Sequence, residues 1–184
     1  LDLSQILNDP KQKSDITANA HLDVRADSFQ KLDRLHGNVA LDSPRLVAAG
    51  YTTGPISAKA QIDGRRAQFS AKANAYGASA TAVGKATLPD FTDKNARAQT
   101  IPFDVTGQLR HVDLRNLPRD LKIPAADTNV SGDYHVAGSV TTGKNPTQNI
   151  KGDVKFLPST LAGATIAGGS TAGFTMNGKA IGYS

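Results

Sequence analysis

From Asp15 to Ala26 the chain reads DITANAHLDVRA and switches strictly between polar and apolar side chains. Ile16, Ala18, Ala20, Leu22, Val24 and Ala26 fall on one side; Asp15, Thr17, Asn19, His21, Asp23 and Arg25 fall on the other. Successive side chains of a strand point to opposite faces, so a period of two predicts a ribbon with one dry and one wet face. The period recurs almost end to end. Gly37, Val39 and Leu41 share a side, as do Ile56, Ala58, Ala60 and Ile62. Phe69 then lines up with Ala71, Ala73 and Ala75, and Phe103 with Val105, Gly107 and Leu109. Val130, Gly132, Tyr134, Val136, Gly138 and Val140 repeat the pattern, followed by Ile150, Gly152, Val154 and Phe156, and by Phe174 and Met176. The expected fold is all-β: a long antiparallel sheet, dry on one face and wet on the other, with at most short helical turns.

Turn chemistry punctuates the strands. DGRR after Ile62 reads as a hairpin turn, and TTGKNPTQN and AGGSTAG read as connections between strands. Three stretches allow helix: LSQILND up to Pro10, DSFQKLDRLHG (where a bulged strand fits as well), and HVDLRNLP, in which Asp113 is placed to cap one turn before Pro118. RDLKIPAAD reads as a connector, and PDFTDKNARAQTIP as a loop. An internal echo links GNVALDSPRLVA (37–48) to GDVKFLPSTLAG (152–163), which match in order at Gly, Val, a large apolar residue and Leu. This predicts one supersecondary unit used twice. The expected organisation is a connector at 1–13, a first β repeat at 14–110, a short helical connector at 111–126, and a second, truncated repeat at 127–184.

Composition sharpens the picture. Aromatic residues make up 5% of the chain, Trp is absent, and much of the 39% hydrophobic fraction is alanine, which removes little area from water per residue. Either a closed sandwich with a modest core or an open sheet that never closes on itself fits such lean material. The formal charge of +5 is spread over wet positions such as Arg25, Lys59, Lys72 and Lys155, without the clustering and interleaved aromatics that nucleic-acid binding requires. There is no cysteine. The opening at Leu1 and the ending AIGYS, inside an extended segment, suggest a piece of a longer protein.

Catalytic chemistry is hard to place. GSVTTGKN approaches a phosphate-binding loop, but Asn145 stands where a hydroxyl is needed and Pro146 precludes the helix that should follow. His21, His36, His111 and His135 are dispersed, without metal-ligand spacing, and most fall on wet positions. Asp15, Asp23, Asp63 and Asp153 read as single carboxylates on wet positions or in turns. Asn129–Ser131 spells a glycosylation sequon. The expectation is a non-enzymatic protein with no cofactor, no metal and no nucleic-acid partner.

The stretches LDVRADSFQKLDRLHGNVALDSPRLVAAGYTTGPISAKAQIDGRRAQFSAKANAYGASATAVGKATL, VDLRNLP, VSGDYHVAGSV and KGDVKFLPSTLAGATIAGGSTAGFTMNGKAIGY resemble the AsmA/TamB superfamily of bacterial envelope proteins, the repeating β-groove proteins. The resemblance implies a curved, gutter-shaped sheet with a hydrophobic concave face. It also implies a periplasmic location, an inner-membrane anchor elsewhere in the full-length chain, and conduction of phospholipid acyl chains between inner and outer membrane. The alternative within the family is a scaffold for outer-membrane β-barrel assembly, acting through edge strands on a barrel partner. On the lipid reading the groove lining is Ile16, Leu22, Val24, Val39, Leu41, Ile56, Ile62, Phe69, Phe103, Val105, Leu109, Val130, Tyr134, Val136, Val154, Phe156, Phe174 and Met176.

Overall fold

The computed structural model describes residues 14–26, 35–48, 51–89, 98–119, 124–142, 147–178 and 180–184, and the backbone alone at 14–18, 24, 26 and 48. The strands are β1 (Ser14–Ala26), β2 (Leu35–Ala48), β3 (Tyr51–Thr53), β4 (Ile56–Asp63), β5 (Arg66–Ala75), β6 (Ala78–Thr87) and β7 (Thr100–Val112). After them come β8 (Thr128–Thr141), β9 (Thr147–Phe156), β10 (Ser159–Leu161), β11 (Ala164–Ile166), β12 (Thr171–Asn177) and β13 (Ala180–Tyr183). They form one open 13-stranded sheet with the path β1-β2-β4-β5-β6-β7-β8-β9-β12-β13, and β3, β10 and β11 lie beside it. Neighbours on the path are antiparallel throughout. The closed sandwich is therefore not the solution this chain adopts. β7 pairs directly with β8, so the ladder crosses from the expected first repeat into the second without a break.

Short turns set the register. Asp63 pairs with Arg66, and Gly64 between them takes φ 59°, the left-handed conformation needed at the first central position of a two-residue hairpin. The β5–β6 turn uses Tyr76 (φ 53°) and Gly77 (φ 80°). The Tyr76 hydroxyl accepts the Thr52 N–H at 2.9 Å, which ties the side strand β3 to this end of the sheet. The expected helical turn is present as a 3-10 turn over Leu114–Asn116, and the Asp113 carboxylate accepts from the Arg115 N–H. Hydrogen bonds from Arg115 hold the Asp113 carboxyl below the ordinary carboxylate range. LSQILND lies outside the described residues, and of DSFQKLDRLHG only the β2 portion from Leu35 is described.

The sequence echo corresponds to a shared pairing scheme. In β2 the register shifts around Ser43–Pro44, after which Leu46–Ala48 form a short hairpin with β3, and β4 returns along the first part of β2. In the second copy β9 breaks at Leu157–Pro158, Ser159–Leu161 form a short hairpin with β11, and β12 returns along β9. The preceding strand spans the break in both copies, β1 in one and β8 in the other. Buried hydroxyls satisfy the backbone at these breaks. Ser43 Oγ donates to the Arg45 carbonyl at 2.7 Å. Ser159 Oγ, 5% exposed, accepts the Ser131 N–H at 3.0 Å and lies 2.7 Å from the Leu157 carbonyl. Beside it the β7–β8 register shifts between Leu109 and Val112, where His111 takes φ 58° and its N–H is received by Ser131 Oγ. The shift returns Val112 to a position opposite Val130.

Exposure tells which way the sheet curls. Val83, on the polar side of β6, is 60% exposed, whereas Val39, Val105, Val136 and Val154 on the other side are half-buried. Small residues agree: Ser57 and Ser70 are exposed, and Ala58, Ala60 and Ala71 are half-buried. Among the described residues every strand belongs to this sheet, so shielding comes from neighbours on the same face leaning together. The sheet curls around its apolar side into an open groove. Ala67 is the only buried hydrophobic residue among those described, which leaves the groove without a closed core.

Candidate functional site

Register converts the alternation of each strand into lateral rows. One row starts with Leu22, Val39 and Ala60 on β1, β2 and β4. It continues through Phe69, Gly84 and Val105 and ends with Val136, Gly152, Phe174 and Tyr183 on β8, β9, β12 and β13. A second row places Leu41, Ala58, Ala71 and Ala82 beside Gly107, Tyr134 and Val154. A third aligns Ile62, Ala67 and Ala86 with Phe103, Gly138, Ile150 and Met176. Ile56 heads a shorter row that passes Ala73, Ala80, Leu109 and Gly132 to Phe156. No charged residue stands in any of these rows. Strands spaced about 4.8 Å apart make the longest row roughly 43 Å across the path.

The residues expected to line the groove are thus brought onto one face. Val130 joins it opposite Val112. The backbone register sets Ile16 opposite Leu46 and Val24 opposite Gly37; the side chains of Ile16 and Val24 lie outside the described residues. Leu22 departs from its neighbours: on the margin strand β1 it is 66% exposed.

Sequence reading missed how the aromatic rings are seated. Inside the ladder, each aromatic residue of the apolar face stands opposite a glycine. Phe69 faces Gly84, Phe103 faces Gly138, Tyr134 faces Gly107, Phe156 faces Gly132, and Phe174 faces Gly152. Contacts show the consequence. A methyl group added at Gly84 would sit 2.8 Å from Phe69 Cζ, and one at Gly107 would sit 2.6 Å from Tyr134 Cζ. At Gly152 the three nearest atoms all belong to the Phe174 ring. At these three seats the ring lies over the missing side chain rather than standing up from the sheet, so the face is paved low there; at Gly138 and Gly132 the nearest atoms belong to β9 instead. Tyr134 reaches across β7, and its hydroxyl donates to the Thr81 carbonyl at 2.9 Å. Burial pushes its phenol above the ordinary value. The signal was present in the sequence as glycines on dry positions, but only register reveals which ring each glycine receives.

The charges stand on the opposite face, where three expected single carboxylates prove to be partnered: Asp23 lies 4.0 Å from Arg25 Nε on its own strand, and Asp63 and Asp153 have partners across strands. Asp63 Oδ1 lies 2.9 Å from His36 Nδ1. His135, on β8, lies between Asp104 of β7 (3.0 Å from Nε2) and Asp153 of β9 (3.7 Å from Nδ1). Arg110 donates to Asp133 and to the Gly132 carbonyl. The cross-strand pairs arise because antiparallel neighbours set unlike charges side by side. A surface depression of about 490 Å³ also falls mainly on this face, between His21, Asn38, Lys59, Gln61, Gln68 and Ser70. Ala40 and Val83 also line it, as do Val39, Ala60, Phe69 and Gly84 of the first apolar row.

Taken as chemistry, the apolar face offers a long, uncharged, low-paved lane suited to dispersion and hydrophobic contact. The fold and this face define an open antiparallel β-groove. No family model, curated protein or solved structure matches the chain.

Proposed function

We propose that this chain is a lipid-binding stretch of a periplasmic envelope protein, which conducts phospholipid acyl chains between inner and outer membrane along the apolar groove. The single observation that carries the reading is the uncharged lane that runs across the whole strand path with no second layer among the described residues. The resemblance to repeating β-groove proteins supports the same reading. Each methylene taken from water contributes about 0.8 kcal/mol, so a tail needs no polar motif to be held. One tail reaches about half of a ~30 Å hydrocarbon core. That is roughly three strand spacings, far less than the lane, which therefore serves as a track with repeated equivalent places rather than a single pocket. Side chains meet the tail as alanine, valine and flattened rings, none of which specifies a stopping point.

A photoreactive amino acid placed at Val136 or Phe69 in cells should yield adducts to phospholipid tails. Lys59, Lys72 and Val83 are the controls. Val83 is the most stringent, since it is apolar and exposed but on the other face. Adducts from Val83 equal to those from Val136 would refute the lane, and so would a purified protein whose co-purifying lipid, measured by mass spectrometry, is unaffected by Val136→Glu.

A further inference from the structure

The polar face holds two shallow furrows, of about 490 and 510 Å³, that meet at Val83. The first crosses β1 to β6. Asn38, Gln61 and Gln68 form one wall, and His21, Lys59 and Ser70 stand on the other. The second crosses β6 to β9, between the row of Thr106 and His135 and the row of Gln108 and Asp133. Together they span the path from β1 to β9, which at about 4.8 Å per interval makes roughly 34 Å. A site that long and that open takes a linear polymer rather than a small molecule.

The side chains around Val83 narrow the chemistry. Ser70 and Thr106 stand directly beside it, and Gln68 and Gln108 diagonally across, all of them exposed. Hydroxyls and carboxamides both donate and accept hydrogen bonds, as a partner rich in hydroxyls requires. Val83 supplies an apolar spot in their midst. A pyranose ring is the complement: a rim of hydroxyls around a face of C–H groups. The polar face of β4 to β7 carries no aromatic side chain, the stacking platform that single-stranded nucleic acid uses. Charge then selects among saccharides. Lys59 lines the first furrow, Lys155 the second, and Lys72 and Lys85 neighbour Val83. None of the four has an ion-pair partner among the described residues. The carboxylates nearby are engaged: Asp133 by Arg110, and Asp104 and Asp153 by His135.

We propose that these furrows bind one strand of a linear acidic polysaccharide of the polyuronate kind. One sugar ring sits on Val83, its hydroxyls meet Gln68, Ser70 and Gln108, and carboxylates of the chain reach Lys72 and Lys85. This face is opposite the apolar lane, so the inference stands apart from the lipid reading.

Oligogalacturonate, its methyl ester and oligoglutamate separate the contributions of sugar and charge in an NMR titration. Oligogalacturonate should shift the Val83 methyl signals and the side-chain amides of Gln68 and Gln108, and leave the Val136 methyls on the other face unmoved. The methyl ester should bind about tenfold more weakly, the loss of two exposed ion pairs. With Lys72→Gln and Lys85→Gln together, acid and ester should bind alike. Val83→Ser, at an exposed position that leaves the fold intact, should weaken both. No binding of oligogalacturonate, equal binding of acid and ester to the parent, or shifts confined to other residues would each overturn the proposal. So would oligoglutamate or phosphatidylglycerol vesicles that bind at Val83 as tightly as the sugar.

Discussion

Replacing Gly152 by alanine sets two ordinary effects against each other, and their sizes decide the sign. Glycine inside a strand costs roughly 0.5–1 kcal/mol relative to alanine, so the substitution should stabilise a strand that has room for a methyl group. Gly152 has no such room. The added carbon would lie 2.7 Å from Phe174 Cζ and 3.1 Å from Cδ1, with Cε1 nearer still. Overpacking of this kind costs typically about 1–3 kcal/mol. The net expectation is a loss of about 0–2.5 kcal/mol, the difference of those two ranges. The nearest obstructing atoms all belong to one ring, so the effect should change sign when the ring goes. In a Phe174→Ala background, Gly152→Ala should gain about 0.5–1 kcal/mol. The coupling between the two sites is then about 1–3 kcal/mol, within the range of directly contacting residues. Urea unfolding of the four proteins measures this as shifts in midpoint at constant m. Additive effects, or a stabilising Gly152→Ala in the parent, would show that the ring does not lie over the glycine.

Other substitutions test the remaining contacts. Tyr134→Phe removes the hydrogen bond to the Thr81 carbonyl and should cost about 0.5–1.5 kcal/mol at neutral pH. Because the folded-state pKa of Tyr134 is raised, its contribution is complete below the ordinary phenol value and is lost as pH rises through the higher folded value. The alkaline fall in stability should therefore be smaller in Tyr134→Phe, and unchanged pH profiles would count against a desolvated phenol. Ser159→Ala strands the Ser131 N–H in a buried site and should cost about 1–3 kcal/mol, with faster amide exchange at Ser131 as the local readout. Asp113 works in the other direction. Its carboxyl pKa is lowered, so its support of the 3-10 turn is present above the ordinary carboxylate range and disappears as pH falls through the lower folded value. Asp113→Asn should reduce the acid-side change in the chemical shifts of Leu114–Asn116.

Strand identity was legible in the sequence because the alternation is local: Ile56 to Ile62 declares its dry face without reference to any other strand. The Gly64 turn even determines register, since two loop residues leave Asp63 and Arg66 nowhere to pair but with each other. Longer connections carry no such information. Nothing between Val112 and Thr128 announces that Tyr134 will meet Gly107 or Phe103 meet Gly138, and so most glycine seats of the rings were invisible although every glycine was in view. Only that of Phe69 at Gly84 follows from a two-residue turn. The polar partners of Asp63 and Asp153 were hidden for the same reason. Val83 misleads in another way. It belongs by alternation to the wet face, but its side chain argues for the dry one, and here the period decides over the residue type.

The seating of rings on glycines also bears on what the groove can hold. A ring that stands upright in a curled sheet fills the space over its own strand and the next, and enough such rings build a core. Laid flat on a neighbouring glycine, the same ring contributes its area to the floor and leaves the height above it open. The chain thus gains aromatic packing along the sheet without closing the groove. On the proposed function this is what separates a track from a core: stabilising contacts run sideways, between strands, while the surface that a tail would touch stays low. Adding side chains at the glycine seats should therefore act on the lane before it acts on the fold. Gly84→Ala meets both Phe69 Cζ at 2.8 Å and the Asp104 carbonyl oxygen at 2.6 Å, so it disturbs backbone and ring together. Gly152→Ala meets the ring alone, and raising the Phe174 ring into the groove should lower lipid adducts at the row neighbour Val136 in a protein that remains folded. Undiminished adducts with the ring displaced would mean that the height above the sheet is not what a tail uses.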